Sequence, residues 1–138
     1  MHIITTHKNT DFDALASVIA GTLIFPGAVG VIPKSVNNNV AQFLSTHKTA
    51  FNIVLPNEVD FERVERLTVV DTDQWRRLDR MESLRQRDNI EIAVWDHHCN
   101  GGDIAADRIC QEEVGATVTL LVREMKKKGM ELNPLIST

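Results

Sequence analysis

The sequence predicts an α/β fold: a doubly wound, mainly parallel sheet with helices on both faces. Three observations predict it. Short β-branched runs alternate with stretches whose apolar residues recur at three- and four-residue steps, the pattern of strands joined by crossover helices. Three of those runs end in acids or imidazoles: Ile3-Ile4 leads into His7-Lys8-Asn9-Thr10-Asp11-Phe12-Asp13, Val69-Val70 into Asp71, and Ile92-Ala93-Val94-Trp95 into Asp96-His97-His98. The carboxyl ends of parallel strands share one crevice, so polar residues placed there converge. Finally, 138 residues with 43% hydrophobic and 25% charged content suit one globular domain.

Met1 to Thr6 is short, β-branched and followed by a polar loop, which makes it the first buried strand. Asp11 or Asp13 then caps a helix that begins at Ala14, runs through Leu15, Val18, Ile19 and Ile24, and is stopped by Pro26-Gly27. Ala28 to Ile32 is a second strand, and Lys34 to Asn39 a loop in which Asn38 or Asn39 caps a helix over Val40 to His47. Ala50 to Leu55 is a third strand, closed by Pro56-Asn57. Phe61, Val64 and Leu67 mark a short helical or irregular link to the strand Leu67 to Val70. The arginine-rich stretch from Asp71 to Asp88, with Leu78, Met81 and Leu84, predicts an exposed helix. Ile90 to Trp95 is the next strand, and Cys99-Asn100-Gly101-Gly102 reads as a loop before an extended segment near Ala106 to Cys110. Ala116 to Lys128 is a helix with Val118, Leu121, Val122 and Met125 inward, lysines opposing its dipole in the last turn, and Gly129 as its cap.

Composition excludes several classes of function. No apolar run approaches the ~20 residues needed to span a bilayer, and no secretion signal opens the chain, so the expected location is cytoplasmic and no membrane partner is expected. A net charge of −4 argues against a domain that coats duplex DNA. Cys99 and Cys110 are expected to be semi-buried thiols.

Hard oxygen donors mixed with imidazole suit Mn²⁺ or Mg²⁺ better than a thiolate-rich zinc site. His7 and Asp11 are spaced to turn toward one ion and Asp13 toward another. Asp71 is the expected bridge, because one carboxylate can hold two ions ~4 Å apart, the separation used in two-metal phosphate chemistry. His97 completes the second set. Asp96, on the opposite strand face from His97, is expected to orient a histidine through a hydrogen bond. Asp73 is a possible substitute for Asp71, though a loop carboxylate is the plainer reading. Arg76 and Arg77 are placed to meet a phosphate, with a solvated helix face as the plainer reading, and His2 and His47 read as structural.

The motifs H-x-N-x-D-x-D-A at His7 to Ala14, V-V-D at Val69 to Asp71 and D-H-H at Asp96 to His98 resemble, in order and spacing, those of the DHH phosphoesterase superfamily. That superfamily includes RecJ-like exonucleases, oligoribonucleases, cyclic-dinucleotide phosphodiesterases and manganese-dependent pyrophosphatases. The wording from Asn9 to Ser17, with Phe25-Pro26-Gly27-Ala28 after it, is similar to a branch in which the DHH domain heads a longer protein with CBS domains and a poly(A) polymerase or CCA-adding nucleotidyltransferase head. The resemblance covers essentially the whole chain. It implies that His7, Asp11 and Asp71 hold one manganese, that Asp13, Asp71 and His97 hold the other, and that His98 contacts the substrate phosphate, with Asp71 and His98 as the catalytic pair. It also implies a nucleotide or short single-stranded nucleic acid as substrate, and other domains of one longer polypeptide as partners.

Asn133-Pro134 is a helix-start signal with about one turn of sequence after it, so residues 1–138 are expected to be a DHH domain truncated before the family's next metal motif and its second, substrate-holding domain. Little turnover is then expected of the chain alone. Three rival readings remain: a non-catalytic nucleotide or metal sensor, a phospho-acceptor receiver domain and an inorganic pyrophosphatase. A receiver has no use for His97-His98 and needs a strand-end lysine that the sequence does not show.

Overall fold

The computed structural model describes residues 1–97, 102–111 and 116–129. His98, Cys99, the expected loop at 99–101 and the Asn133-Pro134 helix signal therefore lie outside the described residues. Strands β1 (His2–Thr5), β2 (Val29–Val31), β3 (Ile53–Val54), β4 (Arg66–Val70), β5 (Glu91–Asp96) and β6 (Arg108–Gln111) form one sheet in the order β3-β2-β1-β4-β5-β6. Every pairing in it is parallel. The winding reverses between β1 and β4, which are hydrogen-bonded neighbours, and a crevice opens beyond their carboxyl ends. The fold is the expected doubly wound α/β sheet.

Helix α1 (Phe12–Ile24) starts where Asp11 Oδ1 accepts from the amide of Ala14 at 2.9 Å. This decides between the two candidate caps, and the helix begins two residues before the predicted start. Leu15, Val18, Ile19, Ala20 and Ile24 are all buried, because α1 packs on the sheet and against two other helices, α2 (Asn38–His47) and α4 (Thr117–Lys127). Burial of the four larger side chains contributes about 1.5–3 kcal/mol each. At Gly30 a Cβ would lie 2.7 Å from Val18 Cγ1 and 2.8 Å from Ile53 Cγ2, so the bare backbone is what lets α1 sit this close to the sheet. Leu121 and Met125 of α4 close the same core. Val118 is only partly buried and packs at its margin.

Against the other face pack Trp75, Leu78, Met81, Leu84 and Ile104, over Ile3, Val31, Leu67, Val69, Ile92 and Val94. The exposed helix predicted from Asp71 to Asp88 is replaced by a 3-10 turn at Trp75–Arg77 and a single turn, α3 (Glu82–Arg85). The apolar residues here recur every three positions, at 75, 78, 81 and 84, a spacing that aligns on a 3-10 turn rather than on an α-helix. All four are buried, so the segment is a lid over the sheet and its arginines are the solvated remainder. A 3-10 turn at Lys48–Ala50 also shortens the predicted third strand to two residues. No described helix is long and apolar enough to cross a membrane.

Candidate metal centre

The loop after β1 is held from both sides. The Lys8 amide donates to the Arg77 carbonyl at 2.7 Å, while the Thr10 amide donates to Ser35 O at 3.2 Å and the Asn37 amide to Thr10 O at 2.9 Å. Asn9 sits at φ 56° and Asp71 at φ 65°, left-handed values that asparagine and aspartate tolerate better than most residues. The amide of Asp71 still donates to Trp95 O at 2.8 Å, so the carboxylate is aimed from a backbone fixed by β5.

That carboxylate lies between two imidazoles. His7 Nε2 is 2.9 Å from Asp71 Oδ2, and His97 Nε2 is 3.1 Å from Asp71 Oδ1 and 3.7 Å from Asp13 Oδ2. Two donor sets result, His7 with Asp11 and Asp71, and Asp13 with Asp71 and His97, each with its ligand atoms within 4.8 Å of one another. The sequence-predicted grouping is thus brought together in space. Asp73 is turned away: its Oδ2 accepts from Gln111 Nε2 at 3.1 Å, and neither donor set contains it. Asp96, expected to orient a histidine, is wholly buried at the end of β5 and belongs to neither donor set. Arg76 and Arg77 are exposed, but with His7, Lys8, Asn9 and Asp11 they line an open cavity of about 410 Å³. His2 accepts or donates a 2.7 Å bond with Thr68 Oγ1 and packs on Phe25, and His47 packs on Phe43, which makes both structural. Cys110 is half-buried, as expected.

Thr117 is the residue that sequence reading missed. Its hydroxyl donates to Asp71 Oδ1 at 2.9 Å and accepts from the His97 amide at 3.2 Å. Its own amide and that of Val118 donate to Asp13 at 3.0 and 2.9 Å, so a residue in the first turn of α1 caps the distant helix α4. A signal was available: the predicted helix began at Ala116, which has no capping side chain, so the cap had to come from elsewhere.

The electrostatics favour a cation between the carboxylates. Burial pushes Asp13 up, as does the neighbouring Asp71 charge, although two backbone amides pull the other way. Burial would raise Asp71 too, but hydrogen bonds from His7 and Thr117 outweigh it and hold its carboxyl below the usual range. Burial alone would lower His7, yet the bonds to Asp71 and to the Lys8 carbonyl leave its pKa raised. In the neutral ring that carbonyl, 2.8 Å from Nδ1, selects the Nδ1–H tautomer and would leave the Nε2 lone pair facing a carboxylate oxygen. Such a contact requires a proton or a metal ion between the two atoms. Buried like charges with hard oxygen and imidazole donors therefore fit divalent cations.

Comparison with known proteins gives the family of the chain. Residues 2–137 match the family model described as "DHH family, N-terminal domain". The chain is 31% identical over 140 residues to an A-adding tRNA nucleotidyltransferase of Geobacter sulfurreducens, a match covering 100% of this chain and 16% of that protein. It is 27% identical to the enzyme of the same name from Aquifex aeolicus, of which it covers 15%. The chain thus spans about a sixth of the length of these relatives. An exopolyphosphatase-related protein from Bacteroides fragilis superposes with a TM-score of 0.73 over 93% of this chain and 39% of its own, at 17% identity, which speaks to the fold alone. With strand-end motifs, topology and family model in agreement, the chain belongs to the DHH family as an N-terminal domain.

Proposed function

We propose that this domain is a manganese-dependent phosphoesterase that hydrolyses phosphodiester or phosphoanhydride bonds of a nucleotide or short oligonucleotide, within a longer protein of the A-adding tRNA nucleotidyltransferase type. One observation carries the reading: the two oxygens of Asp71 each face a different histidine, 2.9 and 3.1 Å away, as a bridging ligand must. His7, Asp11 and Asp71 would hold one ion, and Asp13, Asp71 and His97 the other. Magnesium suits the same oxygen donors, and the two imidazoles favour manganese.

A bound ion pair would supply a water deprotonated near neutral pH and neutralise charge on the attacking and departing oxygens. The chain's own residues do the positioning. Thr117 fixes the rotation of the Asp71 carboxylate, and the Lys8 carbonyl fixes the His7 tautomer. Arg76 and Arg77 offer cations to phosphate oxygens at the mouth of the cavity beside His7. His98, next to His97 in the sequence, is assigned, from the motif, to the phosphoryl group.

The reading is tested by titrating Mn²⁺ into the parent, Asp71→Asn and Asp13→Asn, then assaying the 138-residue chain and the full-length protein with dinucleotides, short oligonucleotides and pyrophosphate. Asp71→Asn should lose binding of both ions and Asp13→Asn mainly of one, since the amide offers one neutral oxygen. Turnover should appear in the longer protein and be small in the 138-residue chain. Metal binding without turnover in either would favour the sensor, and a pyrophosphate-only profile the pyrophosphatase.

A further inference from the structure

We infer that the next unit of the proposed oligonucleotide substrate is held in a second cavity, which shares Lys8 with the cavity beside the candidate metal ligands. The inference rests on the reading of the metal centre as the reacting end, and it assigns what lies beyond that end.

Two open cavities share Lys8 as a wall. The first, about 410 Å³, contains His7 and Asp11 with Arg76 and Arg77. The second, about 570 Å³, is bounded by Lys34, Arg80, Leu55 and Pro56, with Asp79 as its acid. Its size is that of sites which take a small molecule the size of a nucleotide. Lys8, Lys34, Arg76, Arg77 and Arg80 are all exposed, so five cations border one continuous path on a chain whose net charge is −4. Asp79 is the carboxylate among the lining residues, and its Oδ2 accepts from the Lys34 amide at 3.0 Å, which fastens the 33–35 loop to the 79–80 turn and leaves the cations in excess. Arg80 stands at φ 60°, a backbone position rarely taken by a long side chain without a constraint. Lys8 is fixed between the two cavities by its amide on Arg77 O at 2.7 Å and its Nζ on Arg76 O at 3.2 Å.

The composition of the second cavity selects among polyanions. Bare polyphosphate needs cations along its whole length and gains nothing from hydrocarbon. Here Leu55 and Pro56 form an apolar wall beneath a cationic rim, which suits a sugar and base on the wall and a phosphate at Lys34 and Arg80. A mononucleotide at the metal centre would leave this cavity unused, and a dinucleotide or longer strand would fill it.

The test measures binding by the 138-residue chain in EDTA, so that no turnover is involved, using labelled adenylate probes of one to four nucleotides in ribo and deoxy series. The parent should gain at least about tenfold in affinity from mono- to tetranucleotide in both series, with a log-log salt slope steeper by about 0.7 per phosphate engaged. In Lys34→Gln/Arg80→Gln that gain should vanish and the slope fall by about 1.4. Mononucleotide affinity, melting temperature and Mn²⁺ affinity should stay within twofold or a degree or two. A parent without length dependence, or a double variant that keeps it, overturns the inference. So does tripolyphosphate that displaces the tetranucleotide as well as unlabelled tetranucleotide does, since the apolar wall would then contribute nothing. Mn²⁺ calorimetry separates this outcome from the fate of the metal reading: loss of length dependence with metal binding intact removes only the second cavity, and length dependence without metal binding removes only the ion pair.

Discussion

At the scale of single residues, Thr117 offers the sharpest test, because its hydroxyl contacts both Asp71 and the His97 backbone without being a donor to metal itself. Thr117→Val keeps the shape and removes both bonds. Mn²⁺ affinity should fall by roughly 10–100-fold, as is usual when the partner orienting a ligand is lost. Stability in EDTA should fall by about 1–3 kcal/mol, because a buried Asp71 oxygen loses its donor; unchanged Mn²⁺ affinity by calorimetry would show that Asp71 needs no such support. His2 gives a pH signature. Burial, aided by Arg66 and the N-terminal charge, pushes its pKa from 6.5 down to about 4. The unfolded chain therefore binds the extra proton first as pH falls, so this residue's contribution is complete above pH 6.5 and is lost on acidification toward pH 4. His2→Gln should melt progressively closer to, or above, the parent between those pH values and show a constant offset above pH 7. The candidate ligands and their strand-end positions were legible in the sequence because each motif has its own local spacing. Thr117 was not, because Ala116 signalled only a missing cap, while the partner of the Thr117 hydroxyl, Asp71, lies 46 positions earlier and is reached only when α4 docks.

At the scale of elements, local periodicity identified the strands and long helices and failed where tertiary contacts decide. The 71–88 stretch is charged enough to pass for a solvated helix, but its apolar step of three and its bridge from Leu78 to His7 make it a lid built of short turns. Strand β3 is similarly short because the preceding residues continue from α2 into a 3-10 turn. The contact between α1 and β2 can be tested directly. Gly30→Ala forces a methyl against Val18 and Ile53, both branched at Cβ and stiff, and should cost about 1–3 kcal/mol. Denaturant melts would read this as a lower midpoint at unchanged slope. Gly21→Ala should cost less, because its nearest neighbour is the terminal Cδ1 of Ile4, the most movable part of that side chain.

For the whole molecule, ions that bind only the folded state stabilise it by mass action. Mn²⁺ at a hundredfold excess over its Kd should add about 2.7 kcal/mol per ion held. For a domain of this size that is an increase in Tm of the order of 10 °C, and EDTA should reverse it; a melt insensitive to millimolar Mn²⁺ would remove the metal centre from consideration. The cap that Asp13 places on α4 carries this coupling from equilibrium into time. Asp13 and Thr117 tie the two ends of the described chain together at the site, one holding the start of α4 and the other reaching back to Asp71. An ion in the Asp13–Asp71–His97 position would share the Asp13 oxygens with the cap of α4, so its exchange would be coupled to the undocking of α4 from α1, a collective motion on the microsecond-to-millisecond scale. An ion at His7 and Asp11, whose loop is pinned to its neighbours independently of α4, would exchange on a separate clock.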